Sequence, residues 1–190
     1  MKGITMTEKL FLTDAYMKSC DARVEAITAE GGVVLNRSVF YATGGGQPGD
    51  SGTLVLKDGR SIALNTCIKG ESEQLVLLPA DGPIEGLEAG AEVEAVLDWG
   101  RRFAHMAMHT SLHLLCASID AGVTGGSIGA EKSRLDFDLE EAPDKEALEV
   151  RLNDLIAGEH DVLDRAQRAE QVVHLEDEPE LGPEVDQLRG

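Results

Sequence analysis

Between Arg23 and Asp98, short apolar runs alternate with turn residues, and this spacing predicts β-strands. The runs are RVEAI, GGVVL, SVFYA, GTLVLKDGRSIAL, EQLVLL and AEVEAVLDW. Asp58-Gly59 between TLVL and SIAL predicts a hairpin, because Asp-Gly favours the positive φ angles of a tight turn. Several short strands with no helical pattern between them favour a small barrel or sandwich.

After Trp99 the apolar spacing changes to three and four residues, and RRFAHMAMHTSLHLLCASIDAG predicts one long helix ended by Gly122. SIGAEKS and RLDFDL then predict a pair of strands. DKEALEVRLNDLIAGEHDV predicts an amphipathic helix with leucines on one face, and the stretch from Gln171 to Gly190 predicts a strand and an acidic loop. The expected fold class is α+β, with a β-barrel domain at 1–98 and an α+β domain at 99–190.

The 190-residue chain, 42% hydrophobic, is long enough to bury a substantial core. No apolar run approaches the ~18 residues that span a membrane, and the first residues lack the pattern of a secretory signal. Its three cysteines form no CxxC pair, which argues against a disulfide framework and favours a reducing compartment. We therefore expect a cytoplasmic protein.

The net charge of -18 argues against nucleic-acid binding, but the charge is unevenly distributed. Residues 136–190 contain 18 acidic and 5 basic side chains, whereas residues 1–135 contain 17 acidic and 12 basic ones. Because the acidity is concentrated near the C-terminus, a local RNA-binding surface elsewhere is compatible with the composition.

Three of the five histidines, His105, His109 and His113, recur at four-residue intervals in HMAMHTSLH. On a helix they share one face, since each step of four turns the helix by roughly 400°. His105 and His113 lie about 12 Å apart along the axis. One zinc ion therefore takes one adjacent pair and needs further ligands from elsewhere. The alternative is a polar stripe without metal.

The second unusual stretch is SVFYATGGGQPGDSGTL, Ser38 to Leu54. It lacks the Gly-Lys-Ser/Thr of a P-loop and the βαβ setting of a dinucleotide fingerprint. One interpretation is a wide turn between barrel strands. The other is a ligand-binding loop in which the backbone at Gly44, Gly45 and Gly46 approaches the ligand while Gln47 and Thr43 make polar contacts.

FYATGGGQPGDSG, then DWGRRFAHMAMHTSLHLL about fifty residues later, then RLDFDL, together resemble the editing domain of alanyl-tRNA synthetase and its free-standing AlaX-type relatives. The resemblance spans roughly Phe11 to Leu163 and matches the free-standing medium-length form. It implies an N-terminal barrel followed by an α+β editing domain of the kind shared with threonyl-tRNA synthetase.

The resemblance also implies a zinc site. In the family motif HTxxH both histidines bind zinc, which here means His109 and His113, with His105 left in a supporting or structural role. The family completes the site with a Cys-x-Gly-Thr-His segment, and nothing after Cys116 matches it; His160 and His174 lie in another context. Two of four expected zinc ligands are thus present. Either the sequence ends before that segment or the protein lacks half of the site.

The reaction implied is zinc-dependent hydrolysis of the ester that joins serine or glycine to alanine tRNA, an ATP-independent step in translation fidelity. Gln47 and Thr43 are the predicted catalytic residues, and the backbone of the glycine run with Ser38 is the predicted substrate-binding set. Thr43 is the first candidate to recognise the serine hydroxyl, and Ser38 the second.

Four basic residues near the motifs are candidates to contact tRNA phosphates or to form ordinary surface ion pairs: Arg101, Arg102, Lys132 and Arg134. The alternative function is a non-catalytic module that keeps the editing fold and binds tRNA or another protein.

Overall fold

The computed structural model describes residues 6–157, and its centre is a closed six-stranded barrel. All neighbouring strands pair antiparallel, in the order β2-β3-β7-β6-β5-β8, and β8 closes the barrel on β2. The barrel strands are β2 (Ser19–Ile27), β3 (Val33–Leu35), β5 (Gly52–Leu56), β6 (Ser61–Lys69), β7 (Leu75–Pro79) and β8 (Glu92–Leu97). The closed barrel and the helices that follow it confirm the mixed α/β class. Of the two predicted architectures, barrel and sandwich, the structure shows the barrel.

The core of the barrel is apolar because alternate strand positions point inward. Side chains from several strands are almost fully buried there, among them Val24, Val33, Leu54, Leu77 and Ala95. The sequence shows this alternation only in part, since all three residues of β3 are buried.

The run SVFYA forms less strand than predicted. Only β4 (Arg37–Ser38) is a strand, paired in parallel with β1 (Glu8–Lys9). The reason is local: the N–H of Phe40 donates to Ser38 Oγ at 3.1 Å, and that of Tyr41 donates to Asp50 Oδ2 at 2.7 Å. Side chains thus take the backbone donors that a strand ladder would need.

The predicted hairpin between β5 and β6 is confirmed, with Gly52 opposite Leu64 and Val55 opposite Ser61. Only Gly59 of its turn has a positive φ, 88°. The turn therefore uses the glycine alone for the left-handed conformation, and Asp58 has a negative φ.

Two helices follow the barrel: α1 (Trp99–Ser118) and α2 (Lys145–Ala157). Helix α1 begins two residues after β8, where the predicted domain boundary lies, and ends before Gly122. Helix α2 lies within the predicted amphipathic segment, but none of its residues is buried. The rest of that segment and the predicted strand and loop from Gln171 lie outside the described residues.

The predicted strand SIGAEKS is wrong. The strand that pairs with β10 (Arg134–Phe137) is β9 (Val123–Ser127), and most of SIGAEKS forms the connection. Glycine is uncommon inside strands, but a Cβ on Gly126 would lie 2.9 Å from Leu135 Cδ1 and 3.0 Å from the carbonyl oxygen of Arg134. Glycine here allows close approach of the two strands.

Within the described residues, one compact unit comprises 6–112 and 122–138, and a second comprises 113–121 and 139–157. The proposed boundary between residues 98 and 99, as a boundary between folding domains, stays a prediction. Neither helix of residues 6–157 combines the length and apolar character that crossing a membrane requires.

Candidate functional site

The glycine motif forms a tight turn between Gly44 and Gln47. The N–H of each of these two residues donates to the carbonyl oxygen of the other, at 3.1 and 2.9 Å. The two central residues, Gly45 and Gly46, have φ of 55° and 75°, the positive values that a type I′ turn needs at both positions. Both are exposed, so the turn presents their peptide groups at the surface.

The side chain of Gln47 points from this turn towards helix α1. Gln47 is only 5% exposed, and its Oε1 lies 3.0 Å from Nδ1 of His109, which is 62 residues away in the chain. The two motifs singled out from the sequence are therefore joined by a direct hydrogen bond. Gln47 was predicted to act on the substrate, and that role stays a prediction; the contact the structure shows is with a histidine.

The other two hydroxyls predicted to act at the site are bonded to backbone. Thr43 Oγ1 accepts the N–H of Gly49 at 2.9 Å and donates to the carbonyl oxygen of Cys67 at 3.3 Å. Ser38 is buried, and its Oγ accepts the N–H of Phe40. Thr43, next to the turn, is exposed, whereas Ser38 is buried. Of the two candidates, only Thr43 is exposed to solvent, and the assignment of either residue to the serine hydroxyl stays a prediction.

The turn is also held by the segment that follows β9. The N–H of Ile128 donates to the carbonyl oxygen of Gly46 at 3.0 Å. Ile128 connects β9 to β10, and β10 contains most of the third motif, RLDFDL. The turn at Gly44–Gln47 is thus bonded to the connection that leads into the third motif.

The stretch after the turn binds the start of helix α1 through backbone atoms. The guanidinium of Arg101 donates to the carbonyl oxygen of Gly49 at 2.9 Å, and the N–H of Asp98 donates to the carbonyl oxygen of Ser51 at 2.9 Å. These bonds hold the first turn of α1 against the glycine motif, so they help to place His105 and His109 further along the helix.

Between those two bonds lies a buried ion pair. Asp50 accepts a hydrogen bond from Arg102, and the guanidinium of Arg102 also faces the rings of Phe11 and Tyr41, at 5.9 and 5.8 Å from the ring centroids. Burial raises the pKa of Asp50, and the Arg102 charge and the Tyr41 N–H oppose that rise. Arg102 was a candidate for tRNA phosphates, and its burial in this pair shows that this candidate was wrong.

The three histidines of α1 have different surroundings. His105 is 2% exposed, and burial together with the Arg101 charge lowers its pKa. Asp50 and Asp98 act in the opposite direction. His109 and His113 are half-buried. The burial of His105 next to the ion pair agrees with a structural role for that residue.

The donors that could bind a metal ion in this region are the imidazoles of His109 and His113. His109 and His113 lie one turn apart on α1, and the bond from Gln47 occupies Nδ1 of His109, so Nε2 is the nitrogen that a metal would take. Within residues 6–157 no group of three or more His, Cys, Asp or Glu side chains is arranged to hold a metal ion. The described residues therefore supply two imidazoles and no larger set of donors, and the zinc site stays a prediction.

The cysteines do not extend this set. Cys20, Cys67 and Cys116 are free thiols, and burial raises the pKa of each. A raised pKa keeps these thiols protonated near neutral pH in the metal-free protein, which disfavours them as nucleophiles. Within residues 6–157 none of them belongs to a group of three or more potential metal ligands.

One basic residue near the turn was missed from the sequence. Lys69, at the end of β6, lies beside Gly44: its Nζ is 3.5 Å from the position that a Cβ on Gly44 would occupy. The backbone explains the proximity, since the N–H of Thr43 donates to the carbonyl oxygen of Cys67 at 2.9 Å. Sequence spacing gives no signal for it, because Lys69 lies 25 residues from Gly44 and only strand pairing brings it close.

The part of the chain that contains the barrel and the glycine motif resembles a known protein family. The family model of tRNA synthetases class II (A) matches residues 6–101, which contain the barrel and the glycine motif. The chain belongs to this family. The match covers just over half of the 190 residues.

Relatives within the family agree with the resemblance to AlaX-type proteins. The chain is 41% identical over 159 residues to alanyl-tRNA editing protein AlaX-M of Methanosarcina barkeri, covering 80% of this chain and 65% of that protein. It is 32% identical to AlaX-L of Pyrococcus horikoshii, covering 79% and 40% respectively. It is 40% identical to the alanine--tRNA ligase of Pyrobaculum arsenaticum, covering 68% and 15%. The chain thus spans two thirds or less of the length of these relatives.

Proposed function

We propose that this protein is a trans-editing hydrolase that deacylates mischarged Ser-tRNA(Ala) or Gly-tRNA(Ala). The observation that carries the proposal is the contact between Gln47 and His109, because it joins the glycine turn to the histidine helix in one site. The similarity to proteins named alanyl-tRNA editing proteins supports it.

We assign the zinc ion to His109 and His113. When bound, zinc would supply a Lewis acid with an open coordination position that activates water or polarises the ester carbonyl. The protein's own contribution is to hold the two imidazoles in place. Helix α1 does this through its attachment to Gly49 and Ser51 and through the Gln47 bond.

The glycine turn is the proposed binding surface for the aminoacyl group. Its exposed peptide groups at Gly45 and Gly46 offer hydrogen-bonding atoms without side chains in the way. Thr43 is the proposed reader of the serine hydroxyl. A site built to bond a hydroxyl leaves polar groups unpaired when alanine occupies it, which disfavours the correctly charged tRNA.

Lys69 is the residue we assign to the tRNA backbone next to this turn. Its ammonium group lies by Gly44, on an otherwise acidic chain. An approaching phosphate chain gains from a local cation even when the net charge of the protein is negative, because salt screens distant charges within about 10 Å at 0.1 M ionic strength.

The test uses protein expressed from its whole gene, with Ser-tRNA(Ala), Gly-tRNA(Ala) and Ala-tRNA(Ala) as substrates. We expect about one zinc per chain, hydrolysis of the mischarged species and little hydrolysis of Ala-tRNA(Ala). His109→Ala should lose zinc and activity, while His174→Ala, outside the motifs, serves as the control. Wild-type protein without zinc and without deacylation of either mischarged tRNA would refute the proposal.

A non-catalytic binding module is the second candidate. The absence of a third metal donor close to the two histidines, within residues 6–157, favours it. The same experiment separates the two: a protein that binds tRNA(Ala) without hydrolysing its ester, and whose binding is unchanged in His109→Ala, belongs to the second class.

A further inference from the structure

We propose that Gln47 is a positioning residue for His109: its side-chain carbonyl oxygen holds the imidazole in the tautomer protonated at Nδ1, which places the lone pair on Nε2, the atom that would bind the proposed zinc. This inference rests on the proposed metal site. It gives Gln47 a role that substrate binding does not require.

The contact joins a side-chain carbonyl oxygen to a ring nitrogen. The Oε1 of Gln47 lies 3.0 Å from Nδ1 of His109, within ordinary hydrogen-bond distance. A carbonyl oxygen only accepts, so the ring nitrogen facing it carries the proton. A neutral imidazole has one protonated nitrogen, and the lone pair for a metal is then on Nε2.

The burial of Gln47 makes this bond more than a surface contact. With 5% of the residue exposed, water competes poorly for the amide. A buried amide that loses its partner is left desolvated without a hydrogen bond, so the bonded arrangement is favoured over alternatives in which the ring turns away.

The backbone of Gln47 is fixed as firmly as its side chain. Its N–H and carbonyl oxygen are both bonded to Gly44, and Gly46 is held by the N–H of Ile128. A residue anchored on both sides loses little further freedom on bonding to His109. Metal-binding histidines commonly donate their second N–H to such a partner, which orients the ring.

Two substitutions separate the hydrogen bond from mere packing. Gln47→Met keeps the length of the side chain and removes the acceptor. Gln47→Glu keeps an acceptor oxygen at the same place and should retain the tautomer. Gln74→Met, also on the barrel unit but far in sequence from both motifs, is the matched control for replacing a glutamine with methionine.

The first measurement uses the metal-free full chain labelled with 15N in its histidines, at a pH where the imidazoles are neutral. Long-range 1H–15N spectra report which ring nitrogen carries the proton, and His109→Gln assigns the signals. We expect wild type, Gln47→Glu and Gln74→Met to show His109 protonated at Nδ1. Gln47→Met should show the Nε2-protonated form or a mixture.

The second measurement is a zinc competition titration of the same proteins. Loss of such a supporting bond weakens metal binding by about 10- to 100-fold, which is the rise in Kd expected for Gln47→Met. Gln47→Glu and the control should remain close to wild type. Unchanged backbone spectra of barrel residues show that Gln47→Met is folded.

The outcomes distinguish this inference from the proposed function. Wild type protonated at Nε2, or a Gln47→Met protein with unchanged tautomer and zinc affinity, overturns the positioning role even if zinc binds and the tRNA is deacylated. Wild-type protein that binds no zinc overturns the metal site itself, and with it the role of Gln47 towards that metal, whichever tautomer the spectra show.

Discussion

Asp50 and Arg102 form an ion pair whose side chains are 1% and 5% exposed. Asp50 belongs to the glycine motif and Arg102 to the first turn of α1, so the pair ties together the two segments that supply Gln47 and His109. Arg101 and Asp98 bond the backbone on either side of Asp50. The pair is therefore the electrostatic part of the attachment that places the histidine helix.

Removing one partner of this pair should strongly destabilise the protein. Arg102→Met leaves the Asp50 charge buried without its partner, which costs about 3–5 kcal/mol. The double variant Asp50→Asn, Arg102→Met should recover part of that loss, since no charge is left alone. Free energies of unfolding from urea titrations measure both effects.

The matched control is Arg60→Met. Arg60 pairs with Asp58 at 2.7 Å, but their side chains are about half exposed, and such pairs contribute less than about 1 kcal/mol. Equal losses for Arg102→Met and Arg60→Met would show that burial of the first pair is not what makes it matter.

His105 should make stability depend on pH. Its pKa in the folded protein is lowered from 6.5, by burial first and by Arg101 next. Below 6.5 the unfolded chain binds more protons than the folded one. The contribution of neutral His105 to the free energy of unfolding is thus complete above pH 6.5. It is lost as the pH falls towards the lowered pKa of the folded state, by at most about 1.4 kcal/mol per pH unit.

The measurement compares wild type and His105→Asn, with chelator present, at several pH values between 7.5 and 5. The variant should show a shallower fall in the free energy of unfolding. Asp50, which interacts with His105, has a raised pKa. It therefore affects the free energy of unfolding in the opposite direction: its contribution falls as the pH rises from 3.8 through the pKa of the folded state. Identical slopes for the two proteins would contradict the prediction.

Gly49 should not tolerate a side chain. A Cβ at this position would clash with the carbonyl oxygen of Cys67 and lie 2.9 Å from Thr43 Oγ1. Gly49→Ala must therefore displace the strand or the turn, and we expect a loss of about 1–3 kcal/mol. Because the turn carries Gln47, zinc affinity should fall as well.

Gly59→Ala is the control for this experiment. Gly59 has a φ of 88°, but nothing lies within 4 Å of its Cβ position. Gly59→Ala should therefore lower the free energy of unfolding by about 1–2 kcal/mol through backbone strain alone. Zinc affinity should be unchanged. If zinc binding is the same in both variants, the glycine motif does not support the metal site.

Lys69 should contribute one phosphate contact to tRNA binding. Lys69→Gln is expected to lower the magnitude of the slope of log K against log salt by about 0.7–0.9, the value for one neutralised phosphate. Binding of tRNA(Ala) measured between 50 and 200 mM salt, concentrations over which such contacts weaken markedly, gives this slope.

Lys57→Gln removes the same charge at the other end of the same hairpin. Lys57 lies in the turn before the nine-residue strand β6, and Lys69 is the last residue of that strand. At 3.3 Å per residue the two lysines are about 30 Å apart. Lys57 pairs with Glu92. Its slope should equal that of wild type. A slope unchanged in Lys69→Gln, or lowered equally in both variants, would remove Lys69 from the tRNA-binding surface.

Local patterns were sufficient for much of the fold. The hairpin around Gly59 and the long helix ended before Gly122 follow from turn chemistry and helical period, both of which act over a few residues. They failed where a long-range contact decided the outcome. VTGGS forms a strand because Gly126 packs closely against Leu135, and no local rule contains that neighbour.

For the site, the sequence alone determined which residues are chemically able to act: the spacing of His109 and His113 is a property of any helix that contains them. Only the tertiary structure decided what they meet. Gln47 and His109, which share a hydrogen bond, are 62 residues apart in the sequence. Asp50 and Arg102, which form the buried ion pair, are 52 residues apart. Pairing of β5 with β8 brings these partners together. Strand pairing and burial depend on the whole chain, whereas helical spacing depends only on the next turn.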